Sequence, residues 1–232
     1  MKIHANAEPK PLRIDDLKTF QPLSKSQDEV FTSWKHGDNL VLSGSAGTGK
    51  TFVALYLALE LSLNRSTPYK QVRIIRSVVP TRDMGFMPGS YEEKINLYTG
   101  PYRAICNELF ERATSYETLV RSGDLIFEST SYLRGLTFDD SIVIADECQN
   151  MSFHELDSIV TRVGENCRII FCGDYYQSDL KKDSEKREHL KFIEIIELMR
   201  NFSIIEFTWQ DIIRSDFVRD YIMTKEMKER EN

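Results

Sequence analysis

Residues 39–51, Asn-Leu-Val-Leu-Ser-Gly-Ser-Ala-Gly-Thr-Gly-Lys-Thr, constrain the chain more than any other stretch. A short apolar run, Leu40 to Leu42, opens into a glycine-rich loop that ends in Lys50-Thr51, and a helical pattern follows from Phe52 to Leu63. Gly44 to Thr51 satisfies G-x-x-x-x-G-K-[ST] in a strand–loop–helix context, which is the P-loop signature. The spacing has a chemical reason. Gly44, Gly47 and Gly49 permit backbone turns that a Cβ would obstruct. The N–H groups of the loop, Gly44-Ser45-Ala46-Gly47-Thr48-Gly49, then converge on phosphate oxygens at the positive end of the following helix. Lys50 reaches the β- and γ-phosphates as a point charge, and Thr51 offers its hydroxyl to Mg²⁺.

Around this loop, strand and helix signals alternate. Ser24, three residues before Gln27, has the spacing of a capping box and introduces a helix whose apolar face is Val30, Phe31 and Trp34. Val72 to Val79 reads as a buried strand, and Pro80 to Gly100 as a long loop. A helix is expected from Pro101 to about Thr118, and a short strand over Leu125 to Phe127. Ser141 to Ala145 is a β-branched run ending in Asp146-Glu147, the strongest strand signal in the chain. A helix from Ser152 to Val163 ends at Gly164, and Arg168 to Cys172 is another strand. Lys181 to Glu188 reads as a solvated loop and helix start, and Ile193 to Met199 as helical. Phe202 to Phe207 is a last strand, followed by a helix from Gln210 to about Met223. This rhythm predicts an α/β fold: one domain with a mostly parallel sheet and helices on both faces. Residues 1–20 are expected to form an N-terminal arm, 21–223 the domain, and 224–232 a charged tail.

Composition removes several classes of function. With a net charge of −6, no global positive field attracts nucleic acid, so any such contact must come from a local basic patch. Cys106, Cys148, Cys167 and Cys172 form no C-x-x-C pair, and no disulfide framework is expected. His154-Glu155 begins an H-E-x-x-H pattern, but Ser158 stands where the second histidine belongs. There is neither an apolar leader nor a membrane-length apolar run, and the expected location is a reducing cytoplasm.

A P-loop alone identifies a triphosphate site, not a reaction. Ile142 to Glu147 has the form of a Walker B strand, with Asp146 positioned to hold Mg²⁺ through water. Glu147 is placed to orient or deprotonate the attacking water. Ile169 to Gln177 is a second buried strand ending in a polar turn, from which Gln177 could sense the γ-phosphate. The guanine-reading N-K-x-D is absent.

Together, G-S-A-G-T-G-K-T, Y-L-R-G-L-T-F-D-D at 132–140, I-A-D-E-C-Q-N at 144–150, T-R-V-G at 161–164 and G-D-Y-Y-Q at 173–177 resemble the PhoH family. These are ATPases related to the motor core of superfamily-1 helicases. M-G-F-M-P-G-S-Y-E-E-K at 84–94 is similar to that family's L-G-F-L-P-G-D-x-x-E-K loop, and Asp211-Ile212-Ile213-Arg214 to its D-V-V-R-H segment. Two positions depart from the pattern without removing a catalytic group: Ser215 replaces the histidine, and Cys148 the alanine of D-E-A-Q. The resemblance implies a RecA-like core, hydrolysis of ATP with Mg²⁺, and single-stranded RNA or DNA as partner. It also matches Gln27 to the glutamine that reads adenine in these motors, although Gln27 equally serves as the capping partner of Ser24.

A superfamily-1 motor closes two RecA-like domains on ATP, and this chain has room for one. A missing arginine finger is worth about 10³–10⁵ in rate. A head-to-tail ring, a hexamer by analogy with other RecA-like rings, would let each subunit supply its neighbour. Arg214, Arg162 and Arg134 are the candidates, and each could instead be an internal salt-bridge partner. Nucleic acid would meet Arg73, Arg76, Arg82 and Arg134 with Tyr132 or Tyr91, unless these flank a strand edge or fill the core. Two other classes compete: a small-molecule P-loop kinase, and a nucleotide-gated binding or assembly module with little turnover.

Overall fold

A computed structural model describes residues 10–78, 91–174 and 183–230 of the 232. Six strands form the sheet: β1 (Asn39–Gly44), β2 (Gln71–Arg76), β3 (Leu125–Ser129), β4 (Ser141–Asp146), β5 (Arg168–Gly173) and β6 (Phe202–Phe207). Their order is β3-β2-β4-β5-β1-β6, and every pairing is parallel. The helices are α1 (Lys25–His36), α2 (Lys50–Ser62), α3 (Tyr91–Tyr98), α4 (Gly100–Leu109), α5 (Ser115–Ser122), α6 (Phe153–Val160), α7 (Asp183–Glu197) and α8 (Asp216–Arg230). Strand β5 separates β1 from β4, which is the RecA-like order of P-loop NTPases.

Both faces of the sheet are covered, and the pleat sorts the side chains between two cores. Leu40, Leu42, Ile142, Ile144, Ile170 and Cys172 face α1, α2, α4 and α5, whose Val30, Leu57, Tyr102 and Leu119 join the same core. Val41, Val143, Ala145, Ile169 and Phe171 face the other way, against Leu156 and Ile159 of α6 and Phe192 and Ile196 of α7. Strands β4 and β5 are buried at every residue. Burial on both faces is why they read as unbroken apolar runs. Helix α2 is buried almost all round, from Val53 to Leu59, so its apolar residues show no stripe. The stretch before α1 packs on the first core through Leu12, Ile14, Leu17 and Phe20.

Several element boundaries depart from the sequence expectations. The helix expected from Pro101 to Thr118 is two, α4 and α5, broken where Glu111 adopts a left-handed φ of 49°. The tail of the expected Pro80–Gly100 loop is helical as α3. The strand expected to reach Val79 ends at Arg76. Helix α6 stops at Val160; Gly164 is not its cap but bonds the Phe138 carbonyl through its N–H. A Cβ on Gly164 would collide with the Asp139 carboxylate, so glycine serves close approach there. The helix start expected within Lys181 to Glu188 falls at Asp183, where α7 begins. After β6 the chain makes a 3₁₀ turn, Trp209–Asp211, and α8 begins only at Asp216, then continues through the expected charged tail. The turn is closed by Asp211, whose Oδ2 accepts from Thr208 N–H at 2.8 Å and from Ser26 Oγ at 2.9 Å, tying α1 to β6.

Phe171 sits at the middle of the second core, fully buried, with its ring 5.1 Å from Phe192 and 6.3 Å from Phe202. Phe171→Ala is expected to cost about 3–5 kcal/mol, through the lost transfer energy and the cavity it leaves. Urea unfolding followed by circular dichroism measures this, and a loss under about 1 kcal/mol would mean the two faces are not packed as described.

Candidate nucleotide site

The sheet's carboxyl edge brings the P-loop and the acids together. Between β1 and α2 the loop lines a cavity of about 600 Å³, within the range of small-ligand sites. Gly44 is required at the strand exit: its φ is 118°, and a Cβ would run into the Phe207 carbonyl of β6. Lys50 Nζ lies under the loop, 2.6 Å from the Gly44 carbonyl oxygen and 2.7 Å from that of Ser45. Burial pulls this ammonium below its ordinary value, and the negative charge of Asp174, with Asp146 and Glu147, opposes the shift.

The acids approach from β4. Asp146 is 4% exposed and accepts two hydrogen bonds, from Tyr102 Oη to Oδ2 at 2.7 Å and from Thr51 Oγ1 to Oδ1 at 2.9 Å. Burial pushes its carboxyl above the ordinary range, while those two hydroxyls and the charge of Arg76 pull it back. Tyr102 is wholly buried, and burial drives its phenol well above the ordinary value, so the hydroxyl stays a donor. Glu147 follows with φ 56°, a left-handed conformation that costs a non-glycine residue energy and marks sites with a task. Its carboxylate accepts from Gln149 Nε2 at 2.7 Å, and Gln149 Oε1 in turn accepts from Asp174 N–H at 3.1 Å. The end of β5 therefore holds the aim of Glu147.

Thr51 and Asp146 offer two hard oxygen atoms to one point, which suits Mg²⁺, an ion usually held by one or two protein oxygens plus phosphates and water. Among the described residues no group of three or more His, Cys, Asp or Glu gathers to hold a metal alone. The other assigned residues distribute as follows. Ala46, Gly47, Thr48 and Gly49 line the cavity, as does Arg214, which extends over Gly47 of its own chain. The Ile213 N–H bonds the Gly47 carbonyl at 3.2 Å and holds this segment against the loop. Ser45 faces away and donates to Glu226 of α8 at 3.1 Å. Gln27 is buried and absent from the cavity wall. Its Nε2 donates to the Thr48 carbonyl at 3.1 Å, and its Oε1 accepts from Leu23 N–H at 2.8 Å. Ser24 Oγ does accept from Gln27 N–H at 3.3 Å, so one half of the expected capping box forms. Gln177, Arg82 and the 84–90 segment lie outside the described residues, as does the side chain of Tyr91.

The remaining arginines separate. Arg162 bonds the Leu133 carbonyl and Ser158 within its own chain. Arg73 pairs with Glu128 at 2.9 Å and stacks on Phe138, a sheet contact. Arg134 is exposed and outside the cavity, beside Tyr132, which is 60% exposed. Arg76 reaches the cavity instead. Sequence spacing missed Tyr102, Arg76 and Glu226 as members of this region, because each arrives through a long-range contact, and it left Gln149 without a role although the residue stands two places from Glu147.

The profile of the family described as PhoH-like protein matches residues 19–225. A PhoH-like protein of Bacillus subtilis (strain 168) is 31% identical over 228 residues, covering 95% of this chain and 66% of that protein. Protein PhoH of Escherichia coli (strain K12) is 30% identical over 177 residues, covering 75% of this chain and 49% of that protein. The chain thus spans about half to two thirds of the length of these curated relatives. Among solved structures, the large terminase of a thermophilic bacteriophage aligns over 87% of this chain and 50% of its own, at 15% identity and a TM-score of 0.48. By the extent of the family match and the agreement with its relatives, the chain belongs to the PhoH-like family.

Proposed function

We propose that this chain is a Mg²⁺-dependent ATPase that acts on single-stranded RNA or DNA as a helicase or remodeller. The observation that carries the reading is the meeting of Thr51 and Asp146 at 2.9 Å beside Glu147, on the wall that the phosphate loop also lines. The ATPase unit runs from residue 21 to 223, with 1–20 as an arm that packs on its core through Leu12 to Phe20 and 224–232 as a charged tail that α8 enters. Loop N–H groups and Lys50 hold the triphosphate, and Thr51 and Asp146 hold Mg²⁺, which would neutralise charge on the β- and γ-phosphates. Phe20, Phe52 and Ile105 supply an apolar wall for the base. Gln27 supports the loop from behind through Thr48 rather than touching the base. Glu147 orients a water and takes its proton as the oxygen bonds to the γ-phosphorus. The bond to the β-phosphate bridging oxygen breaks, releasing ADP and phosphate; Gln177 and Arg214 assist at the γ-phosphate.

Nucleic acid and the ring follow from family kinship and charge. With a net charge of −6, contact must be local, and Tyr132 with Arg134 offers an exposed aromatic–cation pair suited to a single strand. In a head-to-tail ring, Arg214 and Arg134 are the candidates exposed to a neighbour, Arg214 lying also over its own Gly47. Among the described residues no helix is long and apolar enough to cross a membrane, and we place the protein in the cytoplasm. One observation favours a second reading, a nucleotide-gated assembly module. The Ser45–Glu226 bond would transmit loop movement to α8 without any need for turnover.

Phosphate release from ATP, measured with and without single-stranded RNA and DNA, decides between them. Stimulation by polynucleotide is expected, whereas tight nucleotide binding without release would favour the module. Lys50→Ala is expected to lower the rate by on the order of 10²–10³-fold with the fold intact; a variant of undiminished rate would put the phosphate site elsewhere. Glu147→Gln is expected to slow hydrolysis by about 10²–10⁴-fold while ATP stays bound. Filter retention of labelled ATP reads this out, and normal turnover would remove Glu147 from the chemistry.

A further inference from the structure

Arg76 ends β2, and the register of the sheet pairs it directly with Asp146 of β4. Its Cα is therefore fixed at the carboxyl edge, one strand from the Walker B acid and beside Glu147. The guanidinium lies over the Tyr98 ring, 5.6 Å from its centroid, with the Tyr102 hydroxyl among the groups whose charge acts on it. That same hydroxyl donates to Asp146. Two tyrosines, one from the end of α3 and one from α4, thus stand against a half-buried arginine. Among the described residues no carboxylate closes an ion pair on it, although Glu147 and Asp146 are its nearest acids. It lines the cavity together with Gly49, Lys50 and Thr51.

A partly buried guanidinium costs desolvation unless an anion meets it, and a planar fork matches phosphate oxygens. Arg73, three residues earlier on the same strand, shows the contrast. It is satisfied by Glu128, whereas Arg76 has no such ion pair among the described residues and lines the cavity.

We propose that Arg76 is a catalytic cation supplied within the chain, which donates to the equatorial oxygens of the phosphoryl group in transfer, with Tyr98 and Tyr102 as its positioning residues. The inference rests on the ATPase reading above. In the step, the water oxygen bonds to the γ-phosphorus and the bond to the ADP oxygen breaks. The water's proton passes through Glu147 to solvent, and Arg76 stabilises the charge spread on the equatorial oxygens without exchanging a proton. Such a group would supply part of what the second domain's arginine supplies in two-domain motors.

The test uses the full chain, with Arg76→Ala and, to keep charge and stem, Arg76→Lys. Three quantities are measured with Mg²⁺: steady-state ATP hydrolysis without polynucleotide, affinity for ADP, and affinity for ADP with aluminium fluoride, a mimic of the transferring phosphoryl group. Circular dichroism melts check folding. The expected result is a fall in kcat on the order of 10²–10³-fold for Arg76→Ala, with the fluoride complex weakened in parallel and ADP affinity changed by less than about threefold. Arg76→Lys is expected to lie between, since an ammonium keeps the charge and loses the fork. A variant with kcat within about threefold of the parent overturns the proposal. So does an equal loss of ADP and of the fluoride complex, which would make the role structural. A loss confined to single-strand binding also overturns it, by assigning Arg76 to nucleic acid. If the parent protein binds ADP but neither hydrolyses ATP nor captures the fluoride complex, the ATPase reading itself has failed, and this inference falls with it.

Discussion

The hydrogen bond from Thr51 to Asp146 ties the helix launched from β1 to β4, a strand that β1 never touches. Strand β5 separates β1 from β4, so about two strand spacings, roughly 10 Å, lie between the residues that launch the loop and those that carry the acids. The gap is bridged because α2 leaves the loop and crosses the sheet, presenting its first turn to the end of β4 at 2.9 Å. Everything in the site depends on that crossing. It needs a buried α2, two flanking cores that fix the sheet, and parallel strands whose carboxyl ends share one edge.

Around this bond the acids are held by neighbours of a different kind. Asp146 is gripped from the α4 side by Tyr102, and Glu147 from the β5 side by Gln149, which also reaches the backbone of Asp174. The paired acids are therefore controlled from opposite directions. One is buried deep and doubly bonded; the other is partly open and aimed by an amide. Groups whose surroundings differ this much suit different roles, and this difference supports the proposal of one for a metal and the other for a proton. The left-handed backbone at Glu147 adds a further difference between the two acids.

The sheet and the phosphate loop were legible in the sequence because their signals are local. Asn39 to Lys50 carries strand, glycines and cation in order, and Phe202 to Phe207 is a strand of the length expected. What escaped was of two sorts. Helix breaks without glycine or proline left no mark, as at Glu111, where the left-handed turn is imposed by the packing of α4 on α5. Partnerships formed only in three dimensions left none either. Tyr102 lies far from Asp146 in the chain, and nothing beside Arg76 in the sequence shows that it points at a phosphate loop rather than at solvent. Gln27 is the instructive middle case. Its place at the start of α1 was readable from Ser24, but its second bond, to the Thr48 carbonyl, exists only because α1 lies behind the loop.

The far end of the chain touches this region too. Glu226 of α8 is 8% exposed, and its Oε2 accepts from Ser45 of the phosphate loop and from the Trp209 indole N–H. One carboxylate oxygen thus serves a glycine-rich loop and a fluorophore at once. Any rearrangement of the loop around a nucleotide is felt at that indole through a single shared atom, so the protein carries its own optical gauge of occupancy, with Trp34, buried on the inner face of α1, as an internal reference.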